Sequence, residues 1–288
     1  MRRRGKALGA LFGIGFCLAA LIAPQAGVAA VRCQQGPEPA VLSISVTGET
    51  YASLRRVGDA IKVFDAIEGG PRCNLSATVF NTDRVEISVT REASAYIELV
   101  GGPFAPGATA DEDAAAEIEF QASGPGYVEV IGSRGSDHFR YLDSGSDSGV
   151  NLNPSQDEDL DVVVSPESRV EMLFVVGGDE GADRIDALGA PALEMFAVGG
   201  KGDDTLLAPT TGAILDGGRG RDRLIGSGAF DLIVPGHGAD RVTARGASDL
   251  IEMNRDGSRD RVNCGSGRDA VARPDRFDRL GSCEVRRG

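Results

Sequence analysis

Through residues 196–278, apolar and polar positions recur in lines of nine that close on aspartate. Phe196 to Asp204 reads FAVGGKGDD, Ile214 to Asp222 reads ILDGGRGRD, and Leu232 to Asp240 reads LIVPGHGAD. The other nine-residue lines are RLIGSGAFD (223–231), RVTARGASD (241–249), RVNCGSGRD (261–269) and AVARPDRFD (270–278), with one eleven-residue line at 250–260. Each line opens on a short apolar–polar alternation, as a strand does, and runs into a Gly-rich turn. The second residue of each line is predicted to point inward. Val175, Ala197, Leu215, Ile233 and Ile251 stack in one sheet; Ile185, Leu206, Leu224, Val242 and Val262 stack in the other. Two lines form one coil, and coils lie about 4.8 Å apart. The pattern predicts an all-β fold with a parallel β-solenoid over 174–288.

The first residue of each line then faces outward. In one sheet this gives an apolar stripe of Phe174, Phe196, Ile214, Leu232 and Leu250; in the other, Arg184, Thr205, Arg223, Arg241 and Arg261. An apolar ladder of that size is expected to be covered, by residues 30–125, by a protein partner or by a second copy in a homo-oligomer. The residues before 174 are β-rich but carry no clear repeat. Alternation predicts strands at 40–46, 61–67, 84–89, 95–100, 117–122 and 127–131. Residues 30–125 read as an irregular β cap or a separate β-sandwich, and 126–173 as a degenerate repeat or linker.

Composition narrows the setting. Of 30 basic residues, four stand in the first 29 positions, where none of the 43 acidic residues falls. Arg2, Arg3, Arg4 and Lys6 precede an apolar run from Ala7 to Ala23 and a small-residue stretch near Ala29, the pattern of a secretory signal peptide over 1–29. No later segment is apolar and long enough to span a bilayer, so the chain is expected to be exported, to the cell surface or beyond, and not to be an integral membrane protein once the signal is cleaved. The strongly acidic remainder disfavours nucleic acid as a partner and favours cations. Cys17 leaves with the signal. Cys33, Cys73, Cys264 and Cys283 remain, and an even number in an exported chain suggests disulfides. Of three pairings, the local one is expected, because Cys264 and Cys283 fall one coil apart on the same side.

The candidate chemistry lies in the turns. Asp204, Asp222 and Asp240 recur every 18 residues, so their carboxylates stack into a column with Asp183, and stacked anions repel unless cations intervene. Gly199-Gly200-Lys201-Gly202-Asp203-Asp204 and Gly217-Gly218-Arg219-Gly220-Arg221-Asp222 match the G-G-x-G-x-D nonapeptide. Here the chain resembles the hemolysin-type (RTX) family of secreted calcium-binding repeat proteins. The resemblance implies a right-handed parallel β-roll with Ca2+ held between successive same-side turns by Asp carboxylates and turn carbonyls. It places the best gap between 199–204 and 217–222, and weak or empty sites on the opposite side at 226–231, 244–249 and 264–269. The alternative is a structural solenoid in which Lys201, Arg219, Arg221 and the arginines after each aspartate neutralise the column. No catalytic residue is expected. The chain has two histidines, no H-E-x-x-H and no G-x-S-x-G, and without Trp it lacks the aromatic platforms of a polysaccharide lyase. The reading is a non-enzymatic calcium-binding protein.

Overall fold

A computed structural model describes residues 30–36, 41–65, 73, 76–102, 118–143, 148–152, 160–164, 172–177, 180–188 and 195–285. The leader over 1–29 lies outside the described residues. Two sheets carry the chain. One has 13 strands, running in order through Ala30–Gln35, Val41–Thr47, Arg84–Val89, Glu119–Ser123, Val162–Val164, Ser148–Asn151, His138–Asp143, Arg184–Asp186, Thr205–Leu207, Arg223–Ile225, Arg241–Thr243, Arg261–Asn263 and Arg279–Gly281. The other has 11 strands, through Ala60–Asp65, Tyr51–Val57, Ser94–Glu98, Tyr127–Ile131, Met172–Val176, Met195–Lys201, Ala213–Arg219, Leu232–Val234, Leu250–Glu252, Ala270–Ala272 and Glu284–Val285. From Arg184 onward the chain alternates between the sheets and every pairing is parallel. The fold is an all-β solenoid.

The inward positions follow the sequence. Ala197, Leu215, Ile233 and Ile251 are fully buried, as are Ile185, Leu206 and Leu224; Val242 and Val262 are nearly so. They belong to one apolar core that runs from Leu42 to Val271. The N-terminal strands extend the same two sheets: Arg84–Val89 pairs in parallel with both Val41–Thr47 and Glu119–Ser123. The described residues of 30–102 therefore lie at the end of the stack and do not fold across the outer stripe. Two antiparallel edge pairs begin the stack, Ala30–Gln35 with Val41–Thr47 and Tyr51–Val57 with Ala60–Asp65. Between Glu119–Ser123 and Arg184–Asp186 one sheet holds Val162–Val164, Ser148–Asn151 and His138–Asp143, of which Ser148–Asn151 runs antiparallel to both its neighbours. The other sheet passes directly from Tyr127–Ile131 to Met172–Val176.

The stripe forms as a ladder. Phe174 pairs in register with Phe196, then Ile214, Leu232 and Leu250. Ile214 is 36% exposed, while Phe196, Leu232 and Leu250 are half-buried on the outer face. Cys33 faces Cys73 and Cys264 faces Cys283 as disulfides, with Cα separations of 5.9 and 5.2 Å. Such pairs point to an oxidising compartment. Among the described residues, no helix is long and apolar enough to cross a membrane.

Candidate functional site

On one side of the stack the turns close on aspartates that are buried although, among the described residues, no cationic side chain forms an ion pair with them. Asp183, Asp204, Asp222 and Asp240 are 1–2% exposed. The stacking that buries them also supplies one hydrogen bond apiece. The backbone N–H of Asp183 donates to Asp204 Oδ1 at 2.7 Å, that of Asp204 to Asp222 Oδ1 at 2.8 Å, and that of Asp222 to Asp240 Oδ1 at 2.9 Å. The column starts at Asp137, which donates to Asp183, and continues to Asp260 and Asp278. A second ladder on the opposite side runs from Ala213 through Asp231 and Asp249 to Asp269. The aspartate period is thus a hydrogen-bonding period: each carboxylate satisfies a main-chain donor one coil away.

The second carboxylate oxygen divides the turns into two kinds. In the Gly-Ser turns it is satisfied locally, by Ser133 N–H on Asp137 Oδ2 at 2.7 Å and by Ser227 N–H on Asp231 Oδ2 at 2.6 Å. In the turns whose second residue has positive φ, no N–H reaches it. Those residues are Gly200 (101°), Gly218 (92°), Gly236 (92°), Arg245 (78°) and Gly265 (93°). Oδ2 of Asp204, Asp222, Asp240 and Asp249 is accordingly buried without a partner, as is that of Asp183. Burial pushes Asp222 up to about 8 and Asp183 and Asp240 up to about 7; the backbone N–H lowers each, and neighbouring carboxylates raise each further. Asp249 rises to about 6 for the same reasons. An unpaired anionic oxygen in a buried site is costly and attracts a cation or a proton.

Main-chain groups surround these oxygens. A methyl group on Gly199 would collide with Asp204 Oδ2 and the Gly217 carbonyl oxygen together; on Gly217 it would collide with Asp222 Oδ2 and the Pro235 carbonyl oxygen. Only glycine leaves that space open. Further along the turn the coils are knitted together. Gly200 pairs with Gly218 and Lys201 with Arg219, Gly202 N–H donates to the Arg219 carbonyl, and Gly220 N–H donates to the His237 carbonyl, both at 2.8 Å. Gly220, at φ 144°, lies directly over the Gly202 carbonyl oxygen. The side chains of Lys201 and Arg219 are exposed. Lys201 meets Glu180 at 3.6 Å, and no arginine after the column turns back to pair with it: Arg223, Arg241 and Arg261 are exposed on the outer face. Among the described residues, no basic side chain forms an ion pair with Asp183, Asp204, Asp222 or Asp240.

The expected residues Asp183, Asp204, Asp222 and Asp240 therefore come together in one column, with the glycines of 199–202 and 217–220 packed against it. Among the described residues, no three His, Cys, Asp or Glu side chains converge on one point. A cation here would draw on one orphaned carboxylate oxygen per turn plus carbonyls, and such an all-oxygen set suits a hard ion. The donors fit calcium in kind. The sequence reading gives the 244–249 turn, which has Arg245 and Ala247 in place of two glycines, a weak or empty site. Arg245 and Ala247 nonetheless take positive φ (78° and 80°), as Gly200 and Gly202 do (101° and 142°), and the Asp249 oxygen is still left without a partner. His237 is largely exposed, with Asn254 Nδ2 at 2.9 Å and Asp256 Oδ2 at 3.7 Å. Comparison of the chain with known protein families, curated proteins and solved structures finds no match.

Proposed function

We propose that the chain is an exported, non-enzymatic calcium-binding solenoid of the hemolysin-type (RTX) kind, in which Ca2+ between successive turns stabilises the C-terminal coils. One observation carries this reading: four consecutive turns place a buried carboxylate oxygen without a partner on one side of the stack, at Asp183, Asp204, Asp222 and Asp240. A bound divalent ion would neutralise the buried charge and add ligand bonds available only in the folded chain. The residues' own work is positional. Each Oδ1 bond to the neighbouring coil fixes its carboxylate, and Gly199 and Gly217 keep the space beside Oδ2 clear. A metal-free structural scaffold is the second reading, favoured by the Oδ1 ladder, which links coils without an ion.

Calcium titration of the full chain, followed by calorimetry and circular dichroism, separates the two. Calcium-binding coils melt at a higher temperature in millimolar calcium than in chelator, with binding stabilising by about 2.7 kcal/mol per site at a hundredfold excess over Kd. Equal melting with no heat of binding would leave the scaffold reading.

A further inference from the structure

We propose that the outer face of the 11-stranded sheet binds a guanidinium group at Glu129 beside Tyr96. Strand registers set one outward row there: Phe64 beside Ser53, Ser53 beside Tyr96, and Tyr96 beside Glu129. In the next outward row Arg55 stands beside Glu98. One end of this face already holds a guanidinium of the chain's own. The Arg55 guanidinium carbon lies 4.5 Å from the centre of the Phe64 ring. Its Nη2 donates to Glu98 Oε1 at 3.1 Å and to Ser53 Oγ at 3.3 Å. Ring face, carboxylate and cation together make a cation–π contact whose charge is also paired.

Tyr96 and Glu129 repeat the ring and the carboxylate without the cation. Glu129 is half-buried, and among the described residues it forms no hydrogen bond or ion pair. Burial pushes its carboxyl up, and the Glu98 carboxylate raises it further. A cation on Glu129 would offset both effects. The Tyr96 ring is held before any ligand arrives. It hydrogen-bonds Ser94, and Tyr51 meets it edge-on with centroids 5.2 Å apart. Tyr51 and Tyr127 flank Ser94 in register on the same face. Three of the chain's four tyrosines therefore share this part of one sheet.

The residues select the ligand's chemistry. Glu98 and Glu129 repel anions. A hard divalent ion asks for about six to eight oxygens, and here Glu98 Oε1 is already engaged by Arg55 and Ser53. An ammonium is strongly hydrated, whereas a guanidinium is more weakly hydrated, stacks flat on a ring and meets a carboxylate with two N–H groups. The arrangement around Arg55 shows that the same face accommodates that group. A free guanidinium compound and an arginine side chain of a polypeptide present it alike. The proposed activity is binding, with no bond made or broken.

The chain has no Trp, so tyrosine fluorescence reports on this face. Titration of the full chain with methylguanidinium at fixed calcium and low salt should show saturable binding in the millimolar range. Binding should weaken with added salt, and urea, the neutral counterpart in shape, should not bind. These comparisons use the parent chain and need no variant. The second probe is acetyl-Gly-Arg-Gly-amide. Equal affinity for the two probes supports the proposal with a free cation as the source; tighter binding of the peptide supports it with a polypeptide arginine. Glu129→Gln keeps the shape, removes the charge and should lose roughly tenfold or more in affinity with circular dichroism and melting unchanged. Tyr96→Leu should also weaken binding, whereas Glu86→Gln, exposed on the other sheet, should bind as the parent does. The proposal is overturned if Glu129→Gln binds normally or if Glu86→Gln is equally impaired. It is also overturned if urea or methylammonium binds as tightly as methylguanidinium, or if neither probe binds.

Discussion

An aspartate that closes each turn has two oxygens with different tasks. Oδ1 holds the next coil; Oδ2 in the positive-φ turns holds nothing within the chain. The consequence in chelator is a pH dependence of definite sign. Burial raises Asp183, Asp222 and Asp240 from an ordinary 3.8 to about 7 or 8. The folded state then binds more protons than the unfolded one between these values. Metal-free stability is therefore greatest below about pH 4, falls as pH rises, and levels off above about pH 8. Melting scans in chelator from pH 4.5 to 8.5 should show this decline, and saturating calcium should flatten it; a metal-free melting temperature that rises with pH would contradict the assignment. Asp222→Asn keeps the acceptor for Asp204 N–H and deletes the buried charge, and its new amide has the Pro235 carbonyl on the same side of Gly217 as an acceptor. At pH 8 in chelator it should melt at or above the parent, yet gain less from calcium. Asp222→Ala leaves the Asp204 donor unpaired and should cost about 1–3 kcal/mol in either condition. Ala247 occupies a glycine conformation at φ 80°, so Ala247→Gly should stabilise by about 1 kcal/mol, read from denaturant midpoints.

Strands and turns were legible in the sequence wherever one line formed one strand. Leu232–Val234 and Arg241–Thr243 fall at the start of their nine-residue lines because the inward residue, Ile233 or Val242, has equivalents two lines away. Tyr51–Val57 escaped, since Arg55 and Arg56 break its alternation; both are half-buried, and Arg55 pairs with Glu98 and lies over the Phe64 ring. The antiparallel pair of His138–Asp143 with Ser148–Asn151 escaped because it enters only one sheet and so disturbs the period. The aspartate columns were legible as spacing, but their backbone partners were not: a hydrogen bond from Asp204 N–H to Asp222 exists only once coils stack. At the C-terminal edge the last strands are two or three residues long. The Cys264–Cys283 disulfide closes a loop there with a sequence separation of 19, a constraint worth roughly 3 kcal/mol. Because each coil touches only its neighbours, Cys283→Ser should speed amide exchange across 279–285 and leave 205–225 unchanged. Faster exchange throughout the chain would instead mark the edge as a nucleus for the whole stack.

Across the whole molecule the core thins from one end to the other. The N-terminal coils bury Leu42, Ile44, Leu54, Ile61, Val63, Val85, Ile87 and Ile97, while the coils after 205 bury about one large aliphatic side chain per strand: Leu206, Leu215, Leu224, Ile233, Val242 and Ile251. Apolar burial contributes about 25 cal/mol per Å², so the first coils offset their chain entropy more fully than the last. The last coils also carry the charge. Asp183, Asp204, Asp222 and Asp240 stand in one column, and Asp231, Asp249 and Asp269 in the other, all buried. On the calcium reading proposed above, both terms put the metal-dependent part of the stability in the C-terminal half, although both sheets continue through it. Hydrogen exchange in chelator should therefore show slow amides in Val41–Thr47, Arg84–Val89 and Ser94–Glu98 and fast ones from Thr205–Leu207 onward. Calcium should slow the second group and leave the first unchanged. The boundary between the groups is expected near Arg184–Asp186, where the buried Asp183 begins the run of orphaned oxygens. Uniform protection along the chain in chelator, unaltered by calcium, would mean that the aspartate hydrogen bonds suffice to hold the coils and that the solenoid is a metal-free scaffold.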